Sequence, residues 1–221
     1  MNIEKEKNNF VFPKWANKIP AIIAICGYKR CGKDTIADYV SNVYNYKHLK
    51  ISYKVKELVK NLFNITDTDY DNKKEFKNEY WGVSIRQMMQ FIGTDMFQFK
   101  IQELIPDIGR DFWIKSLLSS DLINDIKNKK YNVVISDLRF IHEYNKLKEL
   151  NIPLVVIRVT NSNVNNTDNH ISELEHLNIP FDYEIKNDGS ITELYHNIDA
   201  VLTNYQNIQS SFPLLSVNYL I

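Results

Sequence analysis

Ala21-Ile-Ile-Ala-Ile-Cys-Gly27-Tyr-Lys-Arg-Cys-Gly32-Lys33-Asp34-Thr35 is the stretch from which the rest of the chain can be read. A short apolar run ends in glycine, a second glycine and a lysine follow at fixed spacing, and an amphipathic pattern begins at Ile36. This order predicts a strand, a phosphate-cradling loop and a helix. Gly27 and Gly32 permit backbone angles and close approaches that a side chain blocks. The loop amides and the start of the next helix then face phosphate oxygens, with Lys33 as a point charge for the outer ones. The residue after such a lysine is ordinarily Ser or Thr, which holds magnesium. Here it is Asp34, with Thr35 behind it, and either can serve the metal directly or through water.

At 221 residues, 44% of them apolar, the chain suits one domain or a domain with a small lid. A formal net charge of zero gives no global basic field for nucleic acid. Cys26 and Cys31 match no metal signature and make no disulfide framework, which points to a reducing, intracellular, cytoplasmic setting. The electropositive loop makes Cys31 a candidate reactive thiol as well as an inert small side chain. Residues 1–20 read as a polar leader without a secretory core, with an apolar anchor at Phe10-Val-Phe-Pro-Lys-Trp15, and no run is long enough to cross a bilayer. Of 27 basic residues only Arg30, Arg86, Arg110, Arg139 and Arg158 are arginines. Each therefore asks for a reason, and paired contact with phosphate oxygens is one that lysine cannot supply.

Working outward from the loop, the pattern predicts a helix to about Tyr44, a strand at His48–Ser52 and a helix over Lys54–Phe63. Asn64–Trp81 reads as a polar connector. Ser84 caps a helix at Ile85–Ile92, Gly93-Thr94-Asp95 interrupts it, and another helix covers Asp111–Lys127. Met88, Met89, Phe91, Ile92 and Trp113 are expected in the core. Tyr131–Ser136 and Leu154–Val159 are buried strands, and Tyr183–Ile185 is the last one. Ser190 caps a helix to about Tyr205, and the apolar tail, 206–221, can dock on the domain or on a second subunit as a homodimer. Strands alternate with helices, so the expected class is α/β with a largely parallel sheet flanked by helices and a mobile lid at about 159–177.

In such a sheet, ligands gather at the carboxyl ends of the strands. Asp137 and Arg139 follow one strand end as the loop follows another, and an acidic residue there suits a magnesium nucleotide. Arg86 and Gln90 share a helical face. Arg158, just before an Asn-rich stretch, is placed for a lid that brings charge to a transferred group.

Six colinear stretches carry a resemblance. They are Gly27-Tyr-Lys-Arg-Cys-Gly-Lys-Asp-Thr35, Ser84-Ile-Arg-Gln-Met-Met-Gln-Phe-Ile-Gly-Thr-Asp95, Phe112-Trp113, Ser136-Asp-Leu-Arg139, His170-Ile-Ser-Glu173 and Ile185-Lys-Asn-Asp-Gly-Ser190. In order and content they resemble the deoxynucleoside monophosphate kinases of large phages and viruses, where Asp34 is ordinary. The resemblance implies a P-loop, nucleoside monophosphate kinase-like fold over residues 21–205 and an acceptor region at about 53–110. It implies phosphoryl transfer from ATP with Mg2+ to a deoxynucleoside monophosphate. It assigns ATP to Gly27, Lys29, Arg30, Gly32, Lys33, Asp34, Thr35, Asn187 and Gly189. The acceptor falls to Lys56, Arg86, Gln90, Thr94, Asp95, Arg139, His170 and Glu173, and catalysis to Lys33, Asp137, Arg139 and Arg158. Asp34 and Thr35 are the metal candidates. The same loop and Ser-Asp-x-Arg pattern also resembles animal phosphomevalonate kinases, and a non-catalytic nucleotide-binding module is a further reading.

Overall fold

The computed structural model describes residues 19–164 and 169–211, so the Phe10–Trp15 anchor and residues 212–221 lie outside the described residues. β1 (Ile22–Cys26) sits at the centre of a five-stranded sheet. The other strands are β2 (Tyr46–Leu49), β3 (Asn132–Ile135), β4 (Leu154–Thr160) and β5 (Tyr183–Lys186), in the order β2-β3-β1-β4-β5. Every pairing is parallel. Each strand of a parallel sheet buries both faces, which explains the unbroken apolar run in β1. Ile22, Ala24 and Cys26 enter one core, while Ile23 and Ile25 enter the other.

The second core is closed by α1 (Lys33–Tyr44) and α9 (Ile191–Ser211), through Ile36 and Val40 on the first and Leu194 and Ile198 on the second. The first is closed by α2 (Tyr53–Phe63), α4 (Ile85–Gln90), α5 (Phe112–Leu117), α6 (Ser120–Lys127) and α7 (Ile141–Glu149). The crossover from β1 passes β3 to reach β2, and that from β3 passes β1 to reach β4. The connections therefore part between β1 and β3, and a crevice opens at their carboxyl ends.

Several boundaries differ from the sequence expectation, each for a local reason. The second strand is Tyr46–Leu49, because the Ile51 and Ser52 amides bond a side chain instead of continuing the ladder. The polar connector contains α3 (Asp67–Lys73), capped by the Thr66 hydroxyl, which accepts from the Asp69 amide. It buries no residue and so shows no apolar period. The chain does not break at Gly93. It widens into a π-helical run over Phe91–Phe99, and the wider turns leave Phe91 exposed, not in the core. Gly93 serves packing: a Cβ there would come within 3.2 Å of Val55 Cγ1, and its carbonyl accepts a 2.7 Å bond from Trp113 Nε1. The single helix expected at 111–127 is two, α5 and α6. Ser119 begins the second by accepting from the Leu122 amide. α9 continues to Ser211.

Candidate active site

All five strands end on the same edge of the sheet, and the residues that follow them assemble there. The loop after β1 turns on Gly27 and Gly32, at φ 139° and 105°. A Cβ at Gly27 would lie 2.2 Å from the Val159 carbonyl oxygen, and one at Gly32 would lie 2.4 Å from Asn187 Nδ2. Both positions therefore require glycine, for backbone angle and for space. Asn187, after β5, braces the loop by donating to the Cys31 carbonyl at 3.0 Å. Gly189 lies in the exposed turn beyond it, packed against Glu193. Arg30 is exposed at the loop tip in a left-handed conformation.

Lys33 opens α1 and folds back over the loop, donating to the carbonyls of Gly27, at 2.9 Å, and Tyr28. Burial lowers its pKa from the ordinary value. Asp34 faces the ends of β2 and β3. It accepts from Ser136 Oγ at 2.6 Å and from Lys50 Nζ at 2.7 Å. Burial acts to raise its pKa, but these two donors outweigh burial and hold the carboxyl below its usual range. Ser136 is itself in contact with His48 Nε2 at 2.8 Å, and His48 Nδ1 with Asp38 at 2.8 Å. Thr35 is half-buried in the first turn of α1. Burial raises the pKa of Cys31 despite the nearby Lys33, so its thiol is protonated and enclosed, not reactive.

Beside the loop lies a cleft of about 610 Å³, lined among others by Arg86, Gln90, Thr94, Asp137, Arg139 and Glu173. The capping box of Ser84 and Gln87 fixes α4, whose one face turns Arg86 and Gln90 into the cleft. The Asp137 carboxylate is satisfied by three donors: the Ile51 amide at 2.7 Å, the Ser52 amide at 2.9 Å and Ser52 Oγ at 2.6 Å. It thus pins the turn between β2 and α2 to the end of β3. Glu173, in α8 (Ile171–Leu174) and only 2% exposed, sits between Arg86, at 3.2 Å, and Arg139. Arg139 also donates to the Ser172 carbonyl at 3.1 Å.

Other sequence candidates lie elsewhere. Lys56 is not among the residues that line the cleft; it reaches over the Tyr70 ring at 4.4 Å, a ring that the cleft-lining Lys74 also covers at 4.5 Å, and lies 3.8 Å from Asp67. Asp95 is exposed, 3.9 Å from His170, which caps α8 with its ring nitrogen. Arg158 is not on a lid arm. It stands on β4 and donates to the carbonyls of Leu177, at 3.0 Å, and Ile179, at 2.9 Å, with its guanidinium 4.1 Å from the Phe181 ring centre. That geometry ties the 175–181 segment to the sheet. Of the lid expected at 159–177, residues 165–168 lie outside the described residues. Trp113 is core, as expected, and also lines the cleft.

Three cleft residues with charged or amide side chains escaped the sequence reading. Lys74 follows α3, and its pKa falls to about 8 through burial and then the neighbouring Arg86 and Arg139. Glu143 is buried, accepts from the Arg139 and Phe140 amides at 2.9 and 3.0 Å, and is pushed up to about 8, mainly by burial. Gln98 accepts from Arg110 at 3.0 Å. The Thr66-x-x-Asp69 cap was the one signal that the connector is structured and delivers Lys74 to a fixed place. Among the described residues no cluster of His, Cys, Asp and Glu holds a metal by itself, and no helix is long and apolar enough to cross a membrane.

A parallel sheet in this order, with a glycine-turned anion loop at its central strand and a cationic cleft beside it, defines a P-loop phosphotransferase. A sequence model of the deoxynucleotide monophosphate kinases matches residues 21–82 and 63–198, and the chain belongs to that family. It is 29% identical over 190 residues to a protein of Acanthamoeba polyphaga mimivirus, provisionally named a deoxynucleotide monophosphate kinase, covering 83% of this chain and 96% of that one. It is 28% identical over 162 residues to the deoxynucleotide monophosphate kinase of Escherichia phage RB69, across 72% of this chain and 54% of the phage protein, about half its length. A gluconokinase from Sinorhizobium meliloti 1021 superposes with a TM-score of 0.48 at 9% identity, over 88% of this chain and 98% of that one.

Proposed function

We propose that this chain is a deoxynucleoside monophosphate kinase, using ATP and Mg2+ to convert a deoxynucleoside monophosphate to its diphosphate. The observation that carries the reading is the pairing of two anion sites on one sheet edge. One is the glycine loop with Lys33, and the other is a separate cleft with Arg86, Arg139 and Lys74 on its walls. A hydrolase needs only the first, while transfer to a phosphorylated acceptor needs both.

In this reading an oxygen of the acceptor phosphate bonds to the γ-phosphorus as the bond to the bridging oxygen breaks, and ADP leaves. The loop amides hold the donor phosphates, and Lys33 leaves its own loop carbonyls to meet them. Arg86 and Arg139 hold the acceptor phosphate in line, and Gln90 and Thr94 bound the space for the nucleoside. Asp137 acts by fixing the β2–α2 turn against the cleft. Asp34 fits Mg2+, which keeps most of its waters and needs only one or two protein carboxylates beside phosphate oxygens. Its carboxylate is ionised and aimed at the strand ends, with Lys50 and Ser136 to orient it and Thr35 next to it. When bound, the ion neutralises charge on the transferred group.

Family membership favours a nucleotide acceptor over the phosphorylated alcohol of a phosphomevalonate kinase. ADP release measured against dTMP, dGMP, dCMP, dAMP and the ribonucleotides tests the reading. Turnover with at least one deoxynucleotide is expected, lost in Lys33→Ala. A non-catalytic binding module would release no ADP with any of them.

A further inference from the structure

Arg86 is fully engaged before any substrate arrives. Its Nε donates to both oxygens of Glu75 at 2.8 Å, one terminal nitrogen lies 2.8 Å from Glu75 Oε1, and the other reaches Glu173 at 3.2 Å. The two carboxylates differ in kind. Glu173 is buried, holds Arg139 as well, and is a fixed countercharge. Glu75 keeps 35% of its side chain exposed, on the stretch just after α3, and its carboxylate also lies 3.8 Å from Lys29 of the phosphate loop. A guanidinium gripping two oxygens through Nε and a terminal nitrogen has the geometry it uses on phosphate.

We propose that Glu75 is the resident anion of the acceptor-phosphate subsite. In the free enzyme it holds Arg86 in phosphate-binding geometry and tethers it to the donor loop through Lys29. The acceptor phosphate takes its place on Arg86. Donor phosphates drawn to the loop compete for Lys29 and loosen the tether, so donor and acceptor tighten each other's binding. Glu75 is a positioning residue acting through Arg86. This inference rests on the proposed kinase reading.

The test is calorimetric titration of the full chain with whichever deoxynucleoside monophosphate it turns over best, with and without a non-hydrolysable ATP analogue and Mg2+. In the native protein the analogue is expected to tighten acceptor binding about three- to tenfold, the scale of a half-exposed bidentate ion pair. Glu75→Gln should bind the acceptor about three- to tenfold more tightly than the native chain without the analogue, and gain little when it is added. Glu75→Asp should keep the coupling. Glu79→Gln makes the same charge change on the same exposed stretch and should match the native protein. The inference is overturned if Glu75→Gln binds the acceptor no more tightly than the native chain, or if Glu79→Gln behaves as it does. Turnover that persists alongside that result leaves the kinase reading standing, whereas no binding and no turnover with any deoxynucleotide overturns both.

Discussion

Lys33 is stored on its own loop, and its substitution separates chemistry from folding. Among the described residues its Nζ bonds only loop atoms, namely the Gly27 and Tyr28 carbonyls and Cys31 Sγ, so Lys33→Ala breaks no hydrogen bond between elements there. We expect kcat to fall by about 10²- to 10³-fold or more with the thermal midpoint nearly unchanged; a parallel loss of both would make Lys33 structural. Lys74 yields a prediction in pH. Burial and the two neighbouring arginines lower its pKa to about 8, so the free enzyme loses this cation as pH rises through 8. The kcat/KM for the acceptor should then fall above about pH 8, and Lys74→Arg, which stays charged, should remove that fall. The same profile in both proteins would put the titration elsewhere. At this scale the sequence was readable wherever spacing encodes a shared face or turn: Gly27, Gly32 and Lys33, Arg86 with Gln90, and Asp137 with Arg139. The contacts of Lys56 and Arg158 were not readable, because their partners, Tyr70 and the 177–179 carbonyls, are brought to them only by tertiary packing.

Elements were legible where burial imposes a period. β1 shows as an apolar run because both its faces are covered, and α4 shows through its Ser84 cap. α3 has no buried face, and the π-helical run hides behind a glycine that reads as a breaker but serves close packing against α2. The capping box of α4 matters because that helix aims Arg86 and Gln90. Ser84 is buried, and Ser84→Ala removes its bond to the Gln87 amide, with an expected loss of about 1–2 kcal/mol in denaturant unfolding. The acceptor KM should rise in the same variant while donor binding holds. An unchanged denaturation midpoint would show that packing alone fixes α4.

Across the whole molecule, the sheet gathers five strand ends on one edge, and two histidines, buried His176 and half-buried His142, lie in the segments that pack there. His176 and His142 each lie near 4 instead of 6.5, through burial first and then Lys33 and Arg110 respectively. Between pH 6.5 and 4 the unfolded chain takes up protons that the folded chain refuses, so these groups remove stability as pH falls through that window. Glu143, pushed up to about 8 from 4.5, acts in the opposite sense, costing stability as pH rises from 4.5 to 8. Comparing the native chain with His176→Asn cancels Glu143, and the stability difference between them should shift against the native chain as pH drops from 6.5 to 4. A pH-independent difference would mean that His176 is charged or solvated in the folded state. The central claim is that one sheet edge holds two nucleotides, a donor at Lys33 and an acceptor at Arg86. Its most direct test is ADP release from ATP and Mg2+ with each deoxynucleoside monophosphate in turn, in the native chain, in Lys33→Ala and in Arg86→Ala. The account predicts acceptor-dependent ADP release that each substitution abolishes or cripples, with Arg86→Ala raising the acceptor KM. ADP release that ignores the acceptor, or none with any deoxynucleotide, would contradict it.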